Sequence, residues 1–144
     1  MTTAILFDLD DTLVVEEPAA AAAFLATAHV AARRHAVDPA VLARDARARA
    51  RELWRAGPAY AYGEDTIGMS SWEALWCRWE GDTEEVRACR KWATGYRAEA
   101  WRLALADHSI VDPALAHVYC ATESSIARDS PSIIDCGSKR PFTR

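Results

Sequence analysis

A short apolar run that ends in a cluster of carboxylates is the feature that most limits how this chain can fold. Ala4 to Phe7 form a run typical of a strand buried on both faces, and Asp8, Asp10 and Asp11 follow it directly. On an extended backbone Asp8 and Asp10 share one side, and burying both unpaired would cost several kcal/mol each. A bound cation would remove that cost, and oxygen ligands at this density suit a hard ion such as Mg2+.

The same pair of carboxylates suits phosphoryl transfer. One carboxylate near a metal ion can attack phosphorus, and a second can protonate the leaving oxygen and later take a proton from water. The alternative is a capped strand end with surface acids. The stretch FDLDDTL, residues 7–13, resembles the first motif of the haloacid dehalogenase-like hydrolases, a superfamily made mostly of phosphatases.

This resemblance implies roles for two residues. Asp8 would be the nucleophile that becomes an aspartyl-phosphate, and Asp10 would be the general acid and base. Mg2+ would be held by Asp8 and by the backbone carbonyl of Asp10. Dehalogenating members of the family lack an acid at the position of Asp10, so the resemblance points to the phosphoryl-transfer branch.

The resemblance also implies a fold class. The family fold is α/β, with a core of parallel strands and a helical cap inserted after the first motif. For this chain we expect a mostly α structure, one N-terminal β-strand followed by about four to five helices. We assign residues 1–16 to the strand and catalytic motif, 17–118 to the helical cap, and 119–144 to an atypical, disordered tail.

Local start and stop signals divide the predicted cap. Asp-Pro pairs, a Ser-x-x-Glu capping box and turn glycines mark the boundaries. The predicted segments are a helix over 18–35, a helix from Asp38-Pro39 to Gly57, a loop to Gly68, a helix from Ser70 to Gly81, a helix capped by Asp82 that runs to Asp107, and a helix that starts at Asp112-Pro113.

Three groups of side chains within these segments have more than one interpretation. Arg44, Arg47, Arg51 and Arg55 form either a solvated helix face, which we favour, or a site for an anionic substrate. The indoles of residues 72, 76 and 79 form an apolar stripe, which is more often core than a surface for pairing with another chain. The histidines at 29 and 35 are predicted as surface or helix-end residues rather than metal ligands.

Composition sets the class and the compartment. At 144 residues and 51% hydrophobic, the chain is long enough for one core. A net charge of −4 and a pI of about 5.5 argue against nucleic acid or an anionic membrane as partner. The four cysteines have no CxxC spacing and suggest free thiols. With no signal peptide and no spanning segment in the sequence, we expect a cytoplasmic protein.

The later family motifs are not recognisable in order. The family requires a Ser or Thr, then a Lys, then acidic residues at the ends of later strands. Only residues 123–134 separate Thr122 from Asp135, too few for a parallel crossover with a helix, and Lys139 follows Asp135. We therefore assign no role to these three residues. The composition also turns from alanine-rich to serine-rich near residue 120, as expected for a truncated or frame-shifted product.

These observations leave an enzyme and two other classes of protein open. The first is a Mg2+-dependent phosphohydrolase acting on a small phosphorylated metabolite, weakly active or inactive alone. The second is a non-catalytic helical interaction module that self-associates through exposed apolar surface. The third is a fragment completed by another chain.

Overall fold

The computed structural model describes residues 17–115, and within this range the regular structure is helical. The elements in order are α1 Glu17–Ala32, α2 Pro39–Ala56, a π-helix Ala61–Thr66, α3 Glu73–Trp76 and α4 Glu84–Asp107. The expectation of a mostly α structure is confirmed for these residues. The predicted strand in 1–16 and the tail from 119 lie outside the described range, so the α/β class and the three-part division stay predictions.

Helix α2 lies between α1 and α4 and packs against both. Most buried positions of α1 are alanine, and small side chains let neighbouring helices approach closely. Phe24 is the one large apolar side chain buried on α1, and its ring lies 5.7 Å from that of Trp101 on α4. All three long helices therefore contribute to the core of the described residues.

Helix α1 ends earlier than predicted, at Ala32 rather than His35. The backbone amides of Arg34 and His35 both donate to the carbonyl of Ala31, each at 2.9 Å. The Arg34 bond spans three residues instead of four, which tightens the last turn where the regular helix ends. The chain can then reverse within a few residues and enter α2.

Helix α2 begins and ends where the sequence predicts. An Asp38 carboxylate oxygen accepts hydrogen bonds from two amides of the first turn, at 2.8 and 3.3 Å, and Pro39 occupies the first position. At the other end the amide of Gly57 donates to the carbonyl of Trp54 at 3.1 Å. These caps are local, which is why they can be identified from sequence.

Helix α4 ends at Asp107 as predicted, but its cap lies one residue later than expected. Thr83 rather than Asp82 is the N-cap, and its hydroxyl accepts from the amide of Val86 at 3.3 Å. The carbonyl of Asp82 instead accepts a hydrogen bond from Arg87. The apolar spacing along this helix predicts a buried seam of Val86, Cys89, Ala93, Tyr96, Ala100 and Leu103. The four middle members are buried, Val86 and Leu103 are partly buried, and positions 101, 104 and 105 are buried beyond residue 100. A straight helix drifts away from a seven-residue repeat in this way.

The centre of the fold is an aromatic cluster around Trp54, which is 2% exposed. Its ring lies 5.8 to 6.4 Å from four other aromatic rings, those of Tyr60, Trp79, Trp92 and Tyr96. The hydroxyl of Tyr96 is 3.1 Å from the carbonyl of Ala50 and 2.6 Å from that of Ser71. The cluster therefore joins α2 and α4 to the segment between them.

The prediction of a loop between Gly57 and Gly68 is wrong, because residues 61–66 form a π-helix. Tyr60 packs edge-on against Trp54, and the Trp54 indole nitrogen donates to the Glu64 carboxylate at 3.4 Å. The amide of Met69 donates to the carbonyl of Gly63 at 2.8 Å. Contacts with a side chain of α2 thus organise a segment that has no helical period of its own.

The helix predicted from Ser70 to Gly81 is also shorter, because α3 ends at Trp76. Its capping box is present, with the amide of Ser70 donating to the Glu73 carboxylate at 2.6 Å. Beyond it, Arg90 of α4 donates to the carbonyl of Trp79 at 2.7 and 3.0 Å and to that of Gly81 at 2.8 Å. These guanidinium bonds satisfy backbone carbonyls of the non-helical segment that follows α3.

Replacing Gly63 with Ala is expected to destabilise the fold by about 1–3 kcal/mol, the usual cost of overpacking. A Cβ at this position would overlap the six-membered ring of Trp54, which is buried and cannot move aside. Urea unfolding followed by circular dichroism measures the change.

The matched control for this variant is Gly95→Ala on α4, where a Cβ meets open space. Removing a glycine from a helix interior should stabilise the protein by about 0.5–1 kcal/mol. Equal free energies of unfolding for the two variants would contradict the close packing of Trp54 against the π-helix.

Ion pairs on the surface add a pH dependence to the packing of α2 on α4. Asp107 accepts two hydrogen bonds from Arg49, at 2.7 and 2.8 Å, and these hold the pKa of Asp107 below its ordinary value. A carboxylate whose folded pKa is lowered stabilises the fold above its unfolded pKa, about 3.9, and this contribution is lost as the pH falls through the folded pKa.

We therefore expect the unfolding free energy of the wild type to fall between about pH 5 and pH 3, and Asp107→Asn to show a smaller fall over that window. Urea titrations at several pH values measure both slopes. The control is Asp65→Asn, an exposed carboxylate for which the described residues provide no ion pair. An Asp107→Asn slope equal to that of the wild type would show that the pair contributes nothing.

Candidate functional site

The two residues predicted to carry catalysis, Asp8 and Asp10, precede the described residues, so their geometry and the predicted Mg2+ site stay predictions. Within residues 17–115, no group of three or more His, Cys, Asp or Glu side chains is placed to hold a metal ion. What the structure describes is the surface that begins immediately after the predicted motif.

A groove lies on that surface between α1 and α2, with a volume of about 420 Å³. We call it the arginine groove, because three arginines of α2, Arg44, Arg47 and Arg51, line it. Their spacing of three and four residues places them on one side of the helix. Glu17, the first residue of α1, lines the opposite side, and alanines and Phe24 contribute apolar walls.

Arg47 is held in the groove by two contacts. Its guanidinium donates to the Glu17 carboxylate at 2.6 Å and lies 5.9 Å from the centre of the Phe24 ring, within range of a cation–π interaction. The hydrogen bond from Arg47 is the main reason that the pKa of Glu17 lies below its ordinary value. Glu17 is therefore ionised at neutral pH and neutralises one of the three positive charges.

Arg44 is paired with an acid of its own helix. It lies 3.0 Å from Asp45, whose other carboxylate oxygen is 2.9 Å from the ring of His108 at the end of α4. Burial alone would raise the pKa of Asp45, but hydrogen bonds with Arg44 and His108 outweigh burial, and the net shift is downward. This chain of contacts links one wall of the groove to α4.

Arg51 differs from the other two arginines of the groove. Among the described residues it makes no hydrogen bond or ion pair, although its charge helps to lower the pKa of Glu17. The prediction of a solvated helix face describes the exposed Arg44, Arg51 and Arg55, but Arg47 is partly covered and contacts α1. The arginine spacing was visible in the sequence, whereas the contribution of Glu17 and Phe24 depends on how α1 packs.

The three indoles that could have formed a binding face lie in different surroundings in the structure. Trp79 is buried at 3% exposure and belongs to the aromatic cluster, while Trp72 and Trp76 are half-buried with ring centres 5.5 Å apart. Among the described residues, the exposed large hydrophobic side chains are Leu25 and Val111. The interpretation of the stripe as core therefore fits Trp79 best.

One histidine and two cysteines of the described residues contribute to the packing of the fold. His35 lies 3.0 Å from Asp112 and ties the end of α1 to the turn after α4. Among the described residues, Cys77 and Cys89 are buried and form no disulfide, and burial is the main cause that raises the pKa of Cys89. Cys120 and Cys136 lie outside the described range.

Compared with protein-family models, curated proteins and solved structures, the chain shows no match. Within residues 17–115, no helix combines the length and the apolar character needed to cross a membrane.

Proposed function

We propose that this protein is a Mg2+-dependent phosphohydrolase that acts on a small phosphate monoester through Asp8 and Asp10. The observation that carries the proposal is the order of the chain. The motif FDLDDTL is followed, within a few residues, by a helical unit that begins at Glu17 and packs around a core of its own. A catalytic motif that is followed in the sequence by an inserted helical cap would have this order.

The proposed reaction has two steps. A carboxylate oxygen of Asp8 attacks the phosphorus of the ester, and the bond to the ester oxygen breaks as Asp10 gives that oxygen a proton. Asp10 then takes a proton from water, whose oxygen attacks the same phosphorus and releases inorganic phosphate and the Asp8 carboxylate. Mg2+, held by Asp8 and the carbonyl of Asp10, would supply positive charge beside the phosphoryl oxygens.

The helical unit would serve as a cap that excludes water and positions the substrate. We assign no role to Thr122, Asp135 or Lys139, and because much of the charge around a transferring phosphoryl group is then unassigned, we expect turnover to be slow. The four cysteines, which have no CxxC spacing, support a reducing, cytoplasmic compartment, and the net charge of −4 supports a small metabolite rather than nucleic acid as partner.

The test is hydrolysis of p-nitrophenyl phosphate by the purified chain, with and without Mg2+. We expect release of p-nitrophenol that requires Mg2+ and stops when a chelator is added. Circular dichroism in parallel verifies that chelation leaves the helices intact. A helical, folded chain that releases no p-nitrophenol at any Mg2+ concentration would count against a hydrolase that works alone.

A further inference from the structure

The arginine groove combines an apolar floor with an excess of positive charge. Three guanidinium groups line it, while Glu17 is the one carboxylate among its lining residues. Leu25, one of the exposed large hydrophobic side chains of the described residues, also lines it at 38% exposure. A groove of this kind complements a small molecule that carries an anionic group on a short apolar body.

Within residues 17–115, two of the three arginines have carboxylate partners, whereas Arg51 has none and can therefore offer its guanidinium to a ligand. Arg47 is bonded to Glu17, and Arg44 lies beside Asp45. Arg51 has no hydrogen bond or ion pair within residues 17–115. A guanidinium can bind a carboxylate or phosphate through two parallel hydrogen bonds, so Arg51 can supply a directional contact.

The connectivity of the chain limits how far the groove can be from the predicted catalytic residues. Glu17 lines the groove and follows Asp10 by seven residues. Even a fully extended chain of that length spans at most about 25 Å. This length is an upper limit on the separation between Glu17 and Asp10.

We propose that the arginine groove binds the non-reacting end of the substrate and selects phosphate esters that carry a second anionic group, such as a carboxylate, on a short apolar body. Arg51 contacts the second anion, and Phe24 and Leu25 contact the apolar body. This inference rests on the proposed phosphohydrolase function, and it names Arg51 as the residue that determines specificity.

The experiment compares two aryl esters, phenyl phosphate and 4-carboxyphenyl phosphate, in wild type, Arg51→Gln and Arg55→Gln. Arg55 is the matched control, because it is an exposed arginine of the same helix that does not line the groove. The ratio of kcat/KM for the two esters is compared between variants, so that the different acidity of the leaving groups cancels. We expect Arg51→Gln to lower the ratio about tenfold through KM, the effect of losing one charged hydrogen bond, and Arg55→Gln to leave it unchanged.

A second variant tests the charge balance of the groove. Glu17→Gln removes the carboxylate that competes for Arg47 and should tighten binding of 4-carboxyphenyl phosphate relative to phenyl phosphate. Calorimetric titration measures the affinity for each ester and needs no turnover. The same titration gives the affinities of Arg51→Gln and Asp8→Asn. We expect Asp8→Asn to keep the preference for the carboxylated ester and Arg51→Gln to lose it.

Calorimetry and turnover together separate this inference from the proposed function. Turnover of both esters with a ratio that Arg51→Gln does not change would overturn the role of the groove and leave the hydrolase in place. Binding that depends on Arg51, without turnover in any variant, would overturn the hydrolase and the substrate role of the groove with it, and would leave the groove as an anion-binding site. Absence of both binding and turnover would overturn the two together.

Discussion

Replacing Trp54 with Ala is expected to lower the free energy of unfolding by about 3–5 kcal/mol, the usual loss when a large aromatic side chain is removed from a core. Trp54 is 2% exposed and contacts four other aromatic rings, so its removal leaves a cavity lined by flat, rigid groups that cannot close over it. Because domains of this size are stable by about 5–15 kcal/mol, the loss is a large part of the total.

The control for this prediction is Trp76→Ala, which removes the same side chain from a half-buried position. The Trp76 ring contacts Trp72 but is not part of the aromatic cluster, so the expected loss is about 1 kcal/mol. Urea unfolding measures both variants. If Trp54→Ala leaves too little folded protein for this measurement, Trp54→Phe gives a smaller loss on the same scale. Equal losses for Trp54→Ala and Trp76→Ala would contradict the central place of Trp54.

The features that could be predicted from sequence are those that local chemistry determines. The Asp38-Pro39 start, the Gly57 end, the Ser70 capping box and the end of α4 at Asp107 each depend on residues within one helical turn. The apolar period along α4 also identified most of its buried positions. Such signals need no knowledge of the rest of the fold.

The errors occur where distant side chains determine the backbone. The π-helix at 61–66 is organised by Trp54 of α2, and the non-helical segment after α3 is bonded to the guanidinium of Arg90 on α4. Neither partner is within a helical turn of the segment that it shapes. No period in residues 57–81 could have shown these contacts, because the sequence does not state which helix packs on the segment.

The candidate site also has a part that local sequence predicts and a part that depends on how helices pack. Asp8 and Asp10 were identified from a motif, which is a local signal, and their arrangement stays a prediction. The arginine groove needs α1 beside α2, because Glu17 and Phe24 come from one helix and Arg47 from the other. The sequence showed the arginines on one helix face, and packing adds the carboxylate and the ring that make this face one wall of a groove.

The largest expected effect on activity is that of replacing Asp8. Asp8→Asn removes the charged oxygen that would attack phosphorus, and turnover of p-nitrophenyl phosphate should fall on the order of a thousandfold or more. The matched control is Asp11→Asn, which removes the same charge next to the two assigned carboxylates. Because no catalytic role is assigned to Asp11, its turnover should stay within about twofold of wild type, within the small range of a change outside the reacting groups.

Asp10→Asn should give a third and different result. General acid and base groups contribute about a hundredfold to ten-thousandfold, and the deficit should be greater for an alkyl phosphate, whose leaving oxygen needs a proton more than p-nitrophenolate does. Water attack on the phosphorylated Asp8 also needs the base, so p-nitrophenol should appear in a burst of at most one equivalent before a slow phase. Rapid-mixing absorbance measures the burst. Equal losses in Asp8→Asn, Asp10→Asn and Asp11→Asn would show that the three carboxylates act only through their shared charge, and the assignment of separate roles would be wrong.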